Sequence, residues 1–545
     1  MTKINSNPII GITLEGFQVF DKPTHIPLDR LTLLFGPNSA GKSAVQDAIE
    51  LYAALVTEET AGSYRKLSKA RELLKRHWRR TGGSSDHRAD KLSIAVTHTT
   101  QADIHAVMEY QLGRRIWGEF LASNGHAWEL ESRWHFVRYD DEYEELAFGL
   151  TFEFAVESAF VIRVSNDELI VNLTHPLLSQ IELAVDFAEV AKAYPDEVTL
   201  GQGHLTLRGY FLDFLPRGPT ADEHHDRWMG YHANLGHGQD HASNVKSSLF
   251  AAAIAELNVL LGCILSTAHG TSRFQPMNVR ASRTVPTRRD MTFQFGELDD
   301  PMQPMSPSEN KTYRALADSL TSGLTNGQTP YPRPAERRKF ADAVNRALAD
   351  HLFIEQGYRL DFDYRLLMSK ANSQAALREL ELDPSEFGFM VELFLRDTKG
   401  RKHQFEDVGS GIGYLLPVLC AVYGVDGHVS TCFVQQPELH IHPALQAAMG
   451  DVFIEGSNED RQMLVETHSE HLLLRILKRI RQTHSRVDVA PELKISADDV
   501  SVLYFNPSPD GTTSVKRLRI TEDGEFMDRW PRGFFAERDQ ELFDE

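Results

Sequence analysis

The hydrophobic positions change period several times along the chain. Ile10, Ile12 and Leu14 alternate with small or polar residues, a turn follows near Gly16, and Phe17–Phe20 predicts the second strand of a pair. A continuous apolar run, Leu31–Phe35, stops at Gly36. Beyond Ser43, apolar residues from Ala44 to Val56 recur at helical spacing with no Gly or Pro, so the local order is strand, glycine loop, helix. Alternating runs at Leu92–Thr97, Leu150–Val156, Phe160–Val164, Leu169–Leu173 and Leu205–Phe211 predict a β-rich insertion. Helical spacing returns at Lys246–Leu265, Ser308–Ser322, Pro334–Leu352 and Gln374–Leu380, and the last third alternates strand and helix again. An α/β protein follows, with no fixed repeat of the solenoid or propeller kind. The pattern divides as 1–215, an N-terminal lobe with the glycine loop and the β-rich insertion; 216–385, a helical connector; and 386–545, a C-terminal lobe.

Composition narrows the setting. The 545 residues are 41% hydrophobic and 25% charged, which fits a folded chain, and the net charge of −20 disfavours general adhesion to nucleic acid or anionic membrane. Three cysteines make neither a disulfide framework nor a zinc cluster. Met1–Ile9 lacks the features of a signal peptide, and the longest mostly apolar stretch, Gly413–Val425, contains Pro417 and falls short of the about 20 residues a membrane span needs. The expectation is a cytoplasmic protein, with Gly413–Val425 as a buried core helix.

The loop Gly36-Pro37-Asn38-Ser39-Ala40-Gly41-Lys42-Ser43 fits G-x-x-x-x-G-K-[ST]. Such a loop wraps phosphates with backbone N–H groups and needs glycine where a Cβ would obstruct the approach. Lys42 brings a point charge to the β and γ phosphates, Ser43 brings a hydroxyl to Mg²⁺, and the helix that follows aims its positive end at the same anion. ATP with Mg²⁺ is the expected ligand.

A partner strand should end close to this loop. Val429–Val434 is the candidate, followed by Gln435-Gln436-Pro437-Glu438-Leu439-His440-Ile441-His442-Pro443. With the P-E-L-H-x-H-P phrase, the chain resembles P-loop ATPases built on an ABC-type head, in the branch that holds the overcoming-lysogenization-defect and SMC-like proteins. Asp407–Pro417 resembles the signature motif of that branch, with Gly409, Ser410 and Gly411 at its centre, and Gln462–Ser469 resembles its switch strand with His468. The ending Gly524–Phe535 resembles the W-P-x-G-F-F tail of a bacterial subgroup that includes the ATPase of Septu-type anti-phage systems, also found attached to retrons. The resemblance covers residues 8–56 and 390–540 well and the middle poorly.

It implies a head made of a mixed sheet flanked by helices, with an inserted β-rich and helical region. It further implies a homodimer that sandwiches ATP between the phosphate loop of one chain and Gly409–Gly411 of the other, with room for higher oligomers. His468 would sense the γ-phosphate. The expected partners are an H-N-H nuclease subunit and, in a retron setting, a reverse transcriptase with its RNA and DNA. The chain itself has no H-N-H pattern, and 77 residues after His468 are too few for a Toprim domain plus the tail. The function implied is an ATP-binding regulatory subunit that controls a separate nuclease. The alternatives are an SMC- or RecF-like repair ATPase that binds DNA directly and a scaffold that never hydrolyses nucleotide.

One departure bears on activity. Relatives place a carboxylate at one or both of the positions held here by Gln435 and Gln436, for Mg²⁺ and for the attacking water. A glutamine amide cannot accept a proton, and general-base help is worth about 10²–10⁴-fold. Slow or absent hydrolysis is expected, with Gln435 as a weak metal ligand and Glu438 as a substitute base. Other candidates remain two-sided. The run Arg65–Arg80 holds eight basic residues against Glu72 alone and reads either as a solvated helix face or as a nucleic-acid contact with Tyr64 and Trp78 stacking on bases. Arg280, Arg283, Arg288 and Arg289 read as partners of head acids or as contacts to nucleotide or nucleic acid. The histidines from His224 to His241 read as a polar loop rather than a metal cluster.

Overall fold

The computed structural model describes residues 9–57, 68–78, 91–100, 128–139, 147–165, 168–176, 185–208, 276–283, 285–295, 334–367, 388–424, 431–458 and 461–531, together with 178, 257, 313, 316, 317 and 320. The elements of the N-terminal half are β1 (Ile9–Glu15), β2 (Thr24–Pro27), β3 (Leu31–Phe35), α1 (Lys42–Thr57), α2 (Ser68–His77), β4 (Lys91–Thr100), β5 (Trp128–Tyr139), β6 (Ala147–Val156), β7 (Ala159–Val164), β8 (Glu168–Asn172), α3 (Phe187–Ala193), β9 (Val198–Gly201) and β10 (His204–Arg208). After them come β11 (Met277–Val279), β12 (Thr292–Phe295) and α4 (Pro334–Arg346), which runs on into a π-helical turn. The rest is β13 (Arg359–Leu367), β14 (Gly388–Arg396), β15 (Lys402–His403), α5 (Ser410–Tyr423), β16 (Thr431–Gln435), α6 (Pro443–Gly456), β17 (Gln462–Glu466), α7 (Glu470–His484), β18 (Val500–Pro507) and β19 (Thr513–Leu518).

The central sheet runs β11-β16-β17-β3-β18-β19. Its strands are parallel except β19, which pairs antiparallel with β18. The inner strands β16, β17, β3 and β18 are largely apolar because both faces are covered, whereas the edge strand β19 carries exposed Ser514, Lys516 and Arg517. Leu34, Phe433, Leu464, Leu503 and Phe505 point into one core, shared with α1 and the antiparallel sheet. Leu31, Leu33, Phe35, Val434, Val465 and Tyr504 point into the other, filled by α4, α5, α6 and α7. Strands from both ends of the chain thus make one sheet, and β3 lies between β17 and β18 only after the intervening residues have returned.

Among the described residues nine strands form the antiparallel sheet, in the order β2-β1-β4-β5-β6-β7-β8-β10-β9. Alternation predicts six of them, β1, β4, β6, β7, β8 and β10; the short, mostly exposed edge strand β9 lies outside those runs, and two further corrections follow. Phe17 and Phe20 do not extend a second strand; they close a tight bridge and are fully buried, and β2 takes the place beside β1. β5 was missed, because its charged outward positions mask the inward Leu130, Trp134 and Phe136. Gln462 links this sheet to the central one: its amide oxygen accepts the Ile9 N–H at 2.8 Å and its amide nitrogen donates to the Ile9 carbonyl at 2.8 Å.

A smaller sheet, β12-β14-β13 with β15 on β14, packs below the second core. Here the Asp361-Phe362-Asp363 triplet is committed to ion pairs, Asp361 with Arg396 at 2.5 Å and Asp363 with Lys402 at 2.7 Å. Gly413–Val425 meets its expectation as far as Tyr423: α5 is a core helix with Pro417 inside it. Trp530 of the tail packs edge-on against Phe35, Phe526 and Tyr504, while Gly533–Phe535 lie outside the described residues. Among the described residues, no helix is long and apolar enough to cross a membrane.

Candidate nucleotide site

The carboxyl ends of β3, β16 and β17 converge on the glycine loop, which is where open α/β sheets bind ligands. Two glycines make the loop possible. Gly36 has φ +139° and a Cβ there would fall 2.5 Å from the Phe505 carbonyl oxygen; Gly41 has φ +89° and its Cβ would strike Val19 at 2.3 Å. Ser39 also takes a left-handed conformation, φ 63°. The outcome is a tight cradle with Asn38, Ser39 and Ser43 on its exposed side and Ala40 and Lys42 buried. An anion cradle of backbone N–H groups at the start of a 16-residue helix fits a polyphosphate.

Lys42 is only 3% exposed, and its ammonium donates to the Gly36 and Pro37 carbonyls at 2.9 Å each. Burial pushes its pKa down, against the opposing pull of Glu466 and Glu438. Ser43 donates its hydroxyl to Glu466 Oε2 at 3.0 Å, and Glu466 Oε1 lies 3.7 Å from the Lys42 nitrogen. Glu466 is the residue that sequence reasoning missed. It precedes the switch histidine, and only the register β17–β3 shows that it ends beside the loop.

The segment after β16 folds back through Gln436, whose φ of 43° turns the chain, and its N–H donates to the Glu466 carbonyl at 2.7 Å. Gln435 receives the Ala281 N–H on its amide oxygen at 3.2 Å. Glu438 is bound on both oxygens, by the His468 N–H at 2.7 Å and the Thr467 hydroxyl at 2.8 Å. Burial raises its pKa and those two bonds oppose the rise. His468 is shifted the other way, its pKa lowered by burial and by the charge of Lys42, so the neutral imidazole is favoured. His442 caps α6 by accepting the Ala444 N–H, and the exposed His440 stacks on Tyr414 at 4.6 Å.

Gly409 is the N-cap of α5, with Ser410 its first residue. Gly411 lies against His440 and Ile441, so the signature segment and the loop after β16 pack together within one chain. Arg283 joins them. It donates to the carbonyls of Tyr414 (2.8 Å), Gln435 (3.0 Å), Gln436 (2.9 Å) and Pro437 (3.3 Å). Arg280 pairs with Glu50 of α1 and Arg288 with Glu392, so of the two readings of this connector the pairing with the head holds for both.

The basic run resolves in part. α2 docks on the head through Gln18, which bonds to both Asp47 and His77. Trp78 is 2% exposed and packs against Phe136, which corrects the expectation that it stacks on bases. Tyr64, Arg65, Lys66, Arg79 and Arg80 lie outside the described residues, as do His224–His241. Among the described residues no group of three or more His, Cys, Asp or Glu could hold a metal by itself.

This strand order, with the glycine loop after β3 and β17 between β3 and β16, defines an α/β protein with a P-loop at the carboxyl edge of a mostly parallel sheet. Family comparison is consistent with it: residues 332–475 match the family described as "AAA domain, putative AbiEii toxin, Type IV TA system", and residues 495–544 match "Protein of unknown function (DUF3696)". No curated protein gives a significant match. Among solved structures the chain is similar to the Smc head domain bound to the C-terminal domain of ScpA from Pyrococcus furiosus (11% identity, 94% of this chain and 96% of that one, TM-score 0.34). It is also similar to the SMC head domain from Thermotoga maritima (10%, 94% and 100%, TM-score 0.34) and to the Smc head with a coiled coil and joint from Pyrococcus yayanosii (10%, 94% and 97%, TM-score 0.35). The class rests on the topology and the loop rather than on these overall scores.

Proposed function

We propose that the chain is an ATP-binding switch protein that closes as a homodimer over shared nucleotides and hydrolyses them slowly. The observation that carries this reading is the cradle itself: two glycines at which any side chain would be strained, a buried Lys42, and a Ser43–Glu466 pair at its rim. Asn38, Ser39, Ala40 and Gly41 would offer backbone N–H groups to the phosphates. Bound Mg²⁺ would neutralise phosphate charge and polarise the γ-phosphate. The neutral amides of Gln435 and Gln436 and the doubly bonded Glu438 leave no ready proton acceptor among the residues expected to supply one, which favours holding ATP over turning it over.

Gly409, Ser410 and Gly411 would meet the nucleotide of a second chain, as the helix start they form is an anion-compatible terminus. Nucleotide loss would then open the pair, a change that a partner can read. The tail and P-E-L-H resemblance support a role in an anti-phage complex, with a separate H-N-H nuclease as the controlled subunit and a retron reverse transcriptase as a further associate. The decisive experiment measures mass by light scattering with and without Mg²⁺-ATP. The full chain should double in mass on adding nucleotide, and Lys42→Ala should not. A chain that assembles identically without nucleotide would instead be the non-hydrolysing scaffold.

A further inference from the structure

The sequence leaves an ABC-type site without a metal-side carboxylate, since position 435 is glutamine. The fold supplies one from elsewhere. β17 is hydrogen-bonded directly to β3, the strand that launches the phosphate loop, whereas β16 is one strand further out, about 4.8 Å away. Glu466 and Gln435 are register partners at the ends of β17 and β16, so both stand on the same row. Gln435 has its amide oxygen committed to the Ala281 N–H. Glu466 reaches instead toward the β3 side, accepting the Ser43 hydroxyl at 3.0 Å with its second oxygen 3.7 Å from Lys42, and it is 7% exposed.

We propose that Glu466 is the carboxylate that holds the divalent cation of the bound nucleotide against Ser43, in place of position 435. This rests on the nucleotide-binding reading and adds the residue that makes it cation-dependent. The chemistry agrees at three points. A hydroxyl and a carboxylate are hard oxygen donors, suited to Mg²⁺, which binds through one or two carboxylates together with substrate phosphates and water rather than in a full protein cage. A lone carboxylate beside a polyphosphate repels it, so only an intervening cation makes this position favourable for binding. Lys42, already beside Glu466, carries one charge, which cannot offset both the carboxylate and a triphosphate.

The sign of the effect is therefore opposite in the two conditions. With Mg²⁺, removing the carboxylate should weaken ATP; in EDTA, removing it should leave affinity unchanged or improve it. The test titrates the full chain with a fluorescent ATP analogue in EDTA and in Mg²⁺, and follows Mn²⁺ uptake with ATP present by the loss of the free-ion EPR signal. Glu466→Gln, close to isosteric, should lose about 10–100-fold in cation affinity, with nucleotide affinity in EDTA no lower than in the unaltered protein. Equal Mg²⁺ dependence and equal Mn²⁺ uptake in the variant would overturn the assignment.

If Glu466→Gln fails to fold, Glu466→Asp decides the matter: withdrawing the carboxylate by one methylene should weaken Mn²⁺ uptake, and unchanged uptake overturns the proposal. An unaltered protein that binds no ATP analogue in either condition sinks the nucleotide reading itself. One that binds with Mg²⁺ dependence while Glu466→Gln is indifferent sinks only the role given to Glu466.

Discussion

Glu438 and His468 are joined by a 2.7 Å hydrogen bond from the histidine's backbone N–H to the carboxylate. The other oxygen of Glu438 takes the Thr467 hydroxyl, so a single side chain sets the distance between the loop after β16 and the switch loop after β17. In this position Glu438 ties the two loops together, with both carboxylate oxygens engaged. Glu438→Ala would strand a buried N–H and hydroxyl, at a cost of about 2–3 kcal/mol. Urea unfolding should show that loss, with a weakened response to ATP because His468 is no longer placed. A variant as stable as the unaltered protein would show that this tie is not under load.

The resemblance of the segment after β16 implies that position 436, a glutamine here, is that of the base for the attacking water. Its left-handed backbone, φ 43°, is as accessible to glutamate as to glutamine, and its N–H anchors to Glu466 through the main chain, not the side chain. Gln436→Glu should therefore fold normally and raise ATP turnover by about 10²-fold or more. Steady-state phosphate release measures it. No rise would mean that the missing base is not what limits hydrolysis.

Arg283 offers a sharper structural prediction. Four carbonyls from two motifs converge on its guanidinium, and the residue is 6% exposed. Lysine keeps the charge but not the planar fork. Arg283→Ala should cost about 3 kcal/mol by leaving buried carbonyls unpaired, and Arg283→Lys should recover only part of it. Chemical denaturation gives the ranking, and equal stability of the two variants would contradict the geometry.

The parts of this site that could be read in the sequence are those where chemistry and local backbone coincide. The glycine loop needs its residues at fixed spacing because a Cβ at Gly36 or Gly41 would clash with Phe505 or Val19, and in the P-E-L-H-x-H-P phrase His442 serves the N–H of Ala444, two residues on. Glu466 was not legible as a site residue, and Arg283 was legible only as one of four connector arginines with two readings. Their contacts reach across 423 and 152 positions of sequence, so only the strand order brings Glu466 to Ser43 and Arg283 to Gln435. The β5 strand escaped for another reason: Glu129, Glu131 and Arg133 on its outward face read as a charged loop unless the inward alternation is counted.

Acid sensitivity can be assigned to particular groups. His351 approaches Glu455 at 3.6 Å, and the interaction with that carboxylate raises its pKa above the ordinary 6.5, against the effect of burial. A raised folded-state pKa means that the native protein binds the proton more tightly than the unfolded chain does. The stabilisation is therefore fully present below about pH 6.5 and is lost as pH rises through the folded value. His77, His135, His175 and His468 have the opposite sign: burial lowers each, so their contribution is intact above 6.5 and declines as the pH falls below it. His351→Asn should accordingly lower Tm more at about pH 6 than at about pH 8, while His175→Asn should narrow the loss of Tm that the protein suffers on acidification. Thermal unfolding of the three proteins across that range tests both signs at once. A His351→Asn deficit that grows toward alkaline pH would show that the Glu455 contact does not hold the proton.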